Sequence, residues 1–202
     1  MKFLLPLALA IIATSASAQP LLLSSSFEYP DITTTGVNYT DADIYYQTFE
    51  TGQHIGGWRI IDGTVDIVRH KQPTASRGDQ SLDLSGISPG AIQRTVSTRP
   101  GETYELSFDF SGNGIGGALS IMEVRWGGEL MNTFYYDTAP QTNSYQVNMY
   151  WQRETLLLTA TSRRTTLEFR SLTGGASGPA LDRVRLERVR KHRFVTENGK
   201  RD

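Results

Sequence analysis

The chain has 202 residues, 20 Lys plus Arg against 21 Asp plus Glu, a formal net charge of −1 and no cysteine. The near-neutral balance gives no electrostatic footprint for nucleic acid. The missing Cys excludes a disulfide scaffold, a thiolate zinc site and a thiol nucleophile. A 38% hydrophobic content excludes both a chain disordered throughout and a multi-span membrane protein.

Residues 1–18 read as a signal peptide. Lys2 supplies a positive n-region, residues 3–13 an apolar run, and Ala16-Ser17-Ala18 the small residues of a cleavage site before Gln19. The run is shorter than the roughly 20 residues a bilayer span requires. A secreted or periplasmic product with no membrane span is expected. Residues 19–190 then read as one domain and 191–202 as a polar flexible tail.

Residues 24–29 are the first strand candidate. Residues 30–55, rich in Thr, Tyr and Asp with little periodicity, are expected to form a long loop or insertion. From residue 56 on, short alternating runs are broken by turn signals. Thr64-Val65-Asp66-Ile67-Val68 alternates apolar with polar, and so does Ser81-Leu82-Asp83-Leu84. In Thr103-Tyr104-Glu105-Leu106-Ser107-Phe108-Asp109-Phe110 the aromatic and aliphatic side chains share one face. Such alternation marks a half-buried strand. Further candidates are 58–61, 91–98, 118–126, 130–136, 151–160, 164–170 and 180–189. Asp62-Gly63, Pro89-Gly90, Pro100-Gly101, Gly127-Gly128 and Gly178-Pro179 stand between them as turns. No window carries a long helical period with caps. Many short, evenly spaced strands predict an all-β fold, an antiparallel β-sandwich or jelly roll.

Several side chains invite a functional reading. A sugar offers an apolar C–H face and a ring of hydroxyls, so it suits a flat exposed aromatic beside planar polar groups. Trp126 stands before Gly127-Gly128 with Arg125 beside it, and Tyr135 and Tyr136 end the next strand. If 118–126 and 130–136 form a hairpin, these residues fall on or near one sheet as a carbohydrate platform. The competing reading makes one of Tyr135 and Tyr136 core and uses Trp126 to cover an edge. Trp58 and Trp151 read as core, and Tyr45 and Tyr46 as a second aromatic candidate. Catalysis has little support. There is no G-x-S-x-G elbow, and His54, His70 and His192 lack metal-ligand spacing. The pairs Asp62/Asp66 and Asp79/Asp83 are the candidates for a two-carboxylate glycosidase, so no catalytic residue is assigned. Arg183, Arg185, Arg188, Arg190, Lys191 and Arg193 form a basic run. It reads either as the solvated face of a strand or as a surface for anionic polymers.

One ordered set of motifs goes beyond periodicity. It includes Ser26-Phe27-Glu28, Gly52-Gln53-His54-Ile55-Gly56-Gly57-Trp58, Asp62-Gly63-Thr64-Val65-Asp66, Ser81-Leu82-Asp83-Leu84-Ser85-Gly86 and Pro100-Gly101-Glu102-Thr103-Tyr104. It ends at Gly178-Pro179-Ala180-Leu181-Asp182. Over roughly residues 26–190 this resembles the bacterial choice-of-anchor C family, related to a plant cell-wall family of unknown function (domain of unknown function six hundred and forty-two). The resemblance implies a galactose-binding-like jelly roll, an extracellular setting, and association with cell-wall or extracellular polysaccharide. The sequence departs from the family where Arg69-His70-Lys71 replaces an aromatic pair, and where a charged tail replaces a sorting anchor.

A jelly roll sets its first and last strands side by side, which brings Glu28 beside Asp182. Calcium, abundant outside cells, takes about six to eight oxygen ligands, and carbohydrate-binding jelly rolls often hold a structural calcium at that place. The expected set is Glu28, Asp79 and Asp182, with carbonyls from the turn Arg77-Gly78-Asp79. The alternative gives Glu28 hydrogen bonds at a strand end and uses Asp182 to cap a turn. The leading expectation is an exported, non-enzymatic carbohydrate-binding module with a structural calcium. Its rivals are a structural or protein–protein module of the cell envelope and a divergent polysaccharide hydrolase. The oligomeric state stays open.

Overall fold

The computed structural model describes residues 20–33, 37–39, 44–70, 75–113, 119–138, 149–176 and 178–190. Residues 1–18, read above as a signal peptide, and residues 191–202, read as a polar tail, lie outside the described residues. The strands in chain order are β1 (Leu21–Ser25), β2 (Val37–Tyr39), β3 (Ile44–Glu50), β4 (His54–Ile55), β5 (Trp58–Asp62), β6 (Thr64–His70) and β7 (Gln80–Asp83). They continue with β8 (Ala91–Ser97), β9 (Thr103–Gly112), β10 (Leu119–Trp126), β11 (Glu129–Asp137), β12 (Gln152–Thr159), β13 (Arg164–Ser171) and β14 (Pro179–Arg188). No helix occurs among the described residues, and none there is long and apolar enough to cross a membrane.

The strands form two antiparallel sheets, so the chain is an all-β jelly-roll sandwich, as expected. One sheet has eight strands in the order β12-β9-β14-β7-β6-β3-β2, with β1 also paired to β14; the other has six in the order β11-β10-β13-β8-β5-β4. Side chains alternate between faces along each strand, so one parity of each strand builds the core. Tyr104, Leu106, Phe108 and Phe110 of β9 are all buried, as are Met122 and Val124 of β10 and Leu167 and Phe169 of β13. Rings pack edge to face within and between the layers: Trp58 meets Phe169 at 5.7 Å inside the six-stranded sheet, and Phe108 of the other sheet meets Phe169 and Phe134, each at 5.2 Å. Each such pair adds about 0.5–1.5 kcal/mol beyond the area it buries.

Two expectations need correction. Residues 30–55 are not one long loop: they hold β2, β3 and β4, and β3 pairs with β6 from Ile44↔His70 to Glu50↔Thr64. Tyr45, Tyr46, Gln47 and Thr48 are all half-buried, so neither face of the strand is clearly apolar and no period shows. The first strand is Leu21–Ser25 rather than 24–29. It stops where Phe27 turns to φ 55° while its ring enters the core.

One feature of the topology positions a site. β7 pairs with the start of β14 at Ala180 and Leu181, and β1 pairs with its later part, from Ser25↔Val184 to Leu21↔Glu187. β1 and β7 therefore lie end to end along one side of β14. Opposite the break between them, β14 shifts register against β9 between Asp182 and Arg185, with Arg183 at φ 51°. A bulge of this kind re-aims side chains.

Candidate functional site

The outer face of the six-stranded sheet carries an ordered charged net. Cross-strand partners point to the same face. Glu123 of β10 stands opposite Arg170 of β13, and Arg125 opposite Glu168, so unlike charges alternate across the pair. Arg125 donates from Nε and Nη2 to Glu123 Oε2 at 2.9 and 2.8 Å. Arg170 donates from Nε to Glu168 Oε1 at 3.0 Å and from Nη1 to Asp62 Oδ2 at 2.5 Å. The last bond crosses Ala91, which pairs with both residues and whose methyl leaves room for the guanidinium. That hydrogen bond holds the Asp62 carboxyl below its usual range. Beside the net, Tyr135 pairs with Ile121, and Thr133 and Leu130 face Glu123 and Arg125. Tyr135 is 64% exposed. The face thus offers fixed donors and acceptors for hydroxyls next to an open aromatic ring.

The four residues expected to bind carbohydrate divide by parity. Arg125 and Tyr135 lie on this outer face. Trp126 and Tyr136 point inward and are each 4% exposed, so neither can offer a stacking face to a sugar. Trp126 Nε1 donates to the Thr159 carbonyl at 3.0 Å, and its ring lies 6.0 Å from that of Tyr104. The Tyr136 hydroxyl donates to the carbonyl of Tyr150 at 3.0 Å, shared with that of Met149 at 3.2 Å. The net residues Glu123, Glu168 and Arg170 were not anticipated. Their signal was legible as two Glu-apolar-Arg triplets, Glu123-Val124-Arg125 and Glu168-Phe169-Arg170.

The second group lies in the break between β1 and β7. Glu28 and Asp182 both hydrogen-bond the turn at 77–79 there. Asp182 Oδ2 accepts from the Arg77 backbone N–H at 2.8 Å and Oδ1 from that of Arg183 at 2.6 Å. Glu28 Oε1 accepts from the N–H groups of Asp79 and Gln80 at 3.1 and 3.0 Å. Gly78 has φ +80°, and a Cβ there would collide with the Glu28 carboxylate. The positive φ favours glycine at the turn, and a larger residue would also displace the Glu28 carboxylate from its amide bonds. Asp79 is exposed and points its carboxylate elsewhere, accepting from Arg69 Nη2 at 3.1 Å. Asp109 joins the group unannounced by the sequence, because it sits opposite Asp182 in the β9–β14 ladder. It is 4% exposed, accepts from Arg153 Nη1 at 2.7 Å and bonds Ser76 Oγ. Burial, then the charges of Asp109 and Glu28, push the Asp182 carboxyl up to about 7 against its two amide bonds.

The group offers part of the oxygen set that calcium takes. Carboxylate oxygens that each accept one or two amide hydrogens keep further acceptor capacity, so Glu28 and Asp182 could each offer an oxygen to a cation. Among the described residues no three acidic or imidazole side chains converge into a metal cage. A cation held at Glu28 and Asp182 would therefore complete its shell with carbonyls and water. The acidic pairs considered for hydrolysis do not share a cleft: Asp62 and Asp79 are exposed, whereas Asp66 and Asp83 are buried. His54 is exposed; the His70 side chain and His192 lie outside the described residues.

A two-sheet body of this kind also occurs among carbohydrate-binding modules. The xylan-binding CBM22-1 domain of Paenibacillus barcinonensis Xyn10C superposes with a TM-score of 0.52 at 18% identity, covering 88% of this chain and 100% of that one. A family 35 carbohydrate binding module from Clostridium thermocellum covers 70% of this chain and 90% of its own, with a TM-score of 0.43 at 11% identity. Residues 21–187 match the family described as "Protein of unknown function (DUF642)", and the chain belongs to that family. Halomucin of Haloquadratum walsbyi is 30% identical over 184 residues; the match spans 88% of this chain and 2% of halomucin.

Proposed function

We propose that this protein is an exported, non-catalytic module that binds cell-wall or extracellular polysaccharide on the outer face of its six-stranded sheet. It would be a bacterial member of the choice-of-anchor C branch. The observation that carries the reading is the net Glu123–Arg125–Glu168–Arg170 with the open ring of Tyr135 beside it. Sugar hydroxyls are met best by groups already held in place, since binding then costs little side-chain ordering. Here each arginine is fixed by a carboxylate before any ligand arrives. The fold shared with a xylan-binding domain supports the same reading by analogy alone. A glycan array decides it. At least one polysaccharide should bind, and Tyr135→Ala should weaken that binding while leaving the melting temperature in place.

The metal reading joins this one as a proposal. Calcium bound by Glu28 and Asp182 would clip β1, β7 and β14 together and would have no catalytic part.

A second reading, a structural or protein–protein module of the envelope, draws on the apolar margin of β11. Leu130 and Met131 are 47% and 38% exposed there. A panel of glycans that all fail to bind would favour it.

A further inference from the structure

On the opposite side of the sandwich, a cleft of about 130 Å³ opens where β1 ends, lined by Ser24, Ser25, Ser26, Arg77, Arg183 and Arg185. Every lining residue is a hydroxyl or a guanidinium. Ser24 and Arg185 are cross-strand partners and so share the outer face of the eight-stranded sheet. The bulge at Asp182–Arg185 adds Arg183, and the glycine turn brings Arg77 across the break between β1 and β7. The positive charge is only partly matched. Arg185 Nη2 is paired with Glu187 Oε1 at 2.5 Å, and Arg183 Nη1 lies 3.8 Å from Oδ2 of Asp109, whose Oδ1 is already bonded to Arg153. Glu28 and Asp182 accept from backbone N–H groups of the turn and the bulge, and neither forms an ion pair with these arginines among the described residues. The Arg77 guanidinium has no carboxylate partner among the described residues.

We infer that this cleft is a second glycan subsite selective for a sugar oxyanion, a carboxylate or a sulfate ester, on an acidic polysaccharide. Guanidinium forks match a planar or tetrahedral oxyanion through paired N–H bonds. The three serine hydroxyls beside them can donate to or accept from the hydroxyls of the ring that bears the charge. The volume suits one charged group with its ring. The inference rests on the carbohydrate reading and adds charge selectivity to it, at a place remote from Tyr135. It also gives the basic character of β14 a ligand, where the sequence offered only general attraction to polyanions.

The test measures binding of the full chain to hyaluronate, to dextran sulfate and to the strongest neutral binder from the glycan array, in calcium-free buffer at low and moderate salt. An acidic polymer should bind more tightly than the neutral one and weaken as salt rises. Arg77→Gln should lower that affinity about tenfold or more at unchanged melting temperature, and Arg77→Lys should restore part of it. Preference for hyaluronate assigns the carboxylate, and preference for dextran sulfate assigns the sulfate ester. If acidic and neutral polymers bind alike, or Arg77→Gln changes nothing, the cleft is not the subsite and the sheet-face reading stands. If no glycan of either kind binds, both readings fall.

Discussion

Asp109 and Asp182 stand directly opposite each other across β9 and β14. Like charges so placed repel, and the two carboxyls answer differently. Asp109 is neutralised by Arg153 at 2.7 Å, while Asp182 has only backbone donors and is pushed up to about 7, by burial first and then by Asp109 and Glu28. This imbalance favours a proton on Asp182, or in its place the calcium proposed for the junction of β1, β7 and β14.

Calcium should therefore stabilise the fold. A ligand present at a hundredfold its Kd adds about 2.7 kcal/mol, which for a domain of this size raises the melting temperature by about 5–10 °C. Thermal melts in millimolar calcium and in chelator should differ by an amount of that order, and Asp182→Asn should abolish the difference. Superimposable melts would remove calcium from the account.

Asp83 sets a pH dependence of its own. It is 4% exposed and accepts from the N–H groups of Ser85 and Gly178 and from Asn113 Nδ2. Burial pushes it up to about 7 nonetheless, with the charge of Asp66, its cross-strand partner, adding to the rise. The unfolded chain releases this proton near pH 4, while the folded chain keeps it to about 7. Stability contributed by the neutral acid is thus full below about pH 4 and declines as pH rises through that window. In chelator, melting temperatures should be higher at pH 5 than at pH 8, and Asp83→Asn, with the Asn113 amide turned over to offer its oxygen, should make the profile shallower, the remaining slope coming from Asp182. A melting temperature that climbs from pH 5 to pH 8 would contradict the assignment.

Trp126 and Tyr135 should separate stability from binding. Removing a buried tryptophan costs about 3–5 kcal/mol, so Trp126→Ala should lower the denaturant midpoint sharply. Tyr135→Ala, at an exposed position, should stay within about 0.5 kcal/mol of the wild type. Equal midpoints for the two variants would show that the parity of the β10–β11 hairpin has been misjudged.

Much of this was legible in the sequence where one face of a strand is wet and the other dry. The alternation at 64–68 and 103–110 located β6 and β9, and the jelly-roll topology pointed Glu28 toward Asp182. β3 was not legible because its side chains from Tyr45 to Thr48 are half-buried on both faces. The sugar face was half legible. Met122, Val124 and Trp126 share a parity, as do Phe134 and Tyr136, so the inward direction of both misplaced rings was encoded in their own strands. The pairing of Asp109 with Asp182 was not, because cross-strand register between segments so distant in sequence is set by the whole sheet.

The central claim is that polysaccharide lies on the outer face of the six-stranded sheet. Amide chemical-shift mapping of the labelled protein with an oligosaccharide of the best array binder tests it most directly. Shifts should cluster at Ile121, Glu123, Arg125, Thr133, Tyr135, Glu168 and Arg170, and Tyr135→Ala should weaken the titration about tenfold. Shifts confined to other elements, or a spectrum that no glycan in the panel perturbs, would contradict the account.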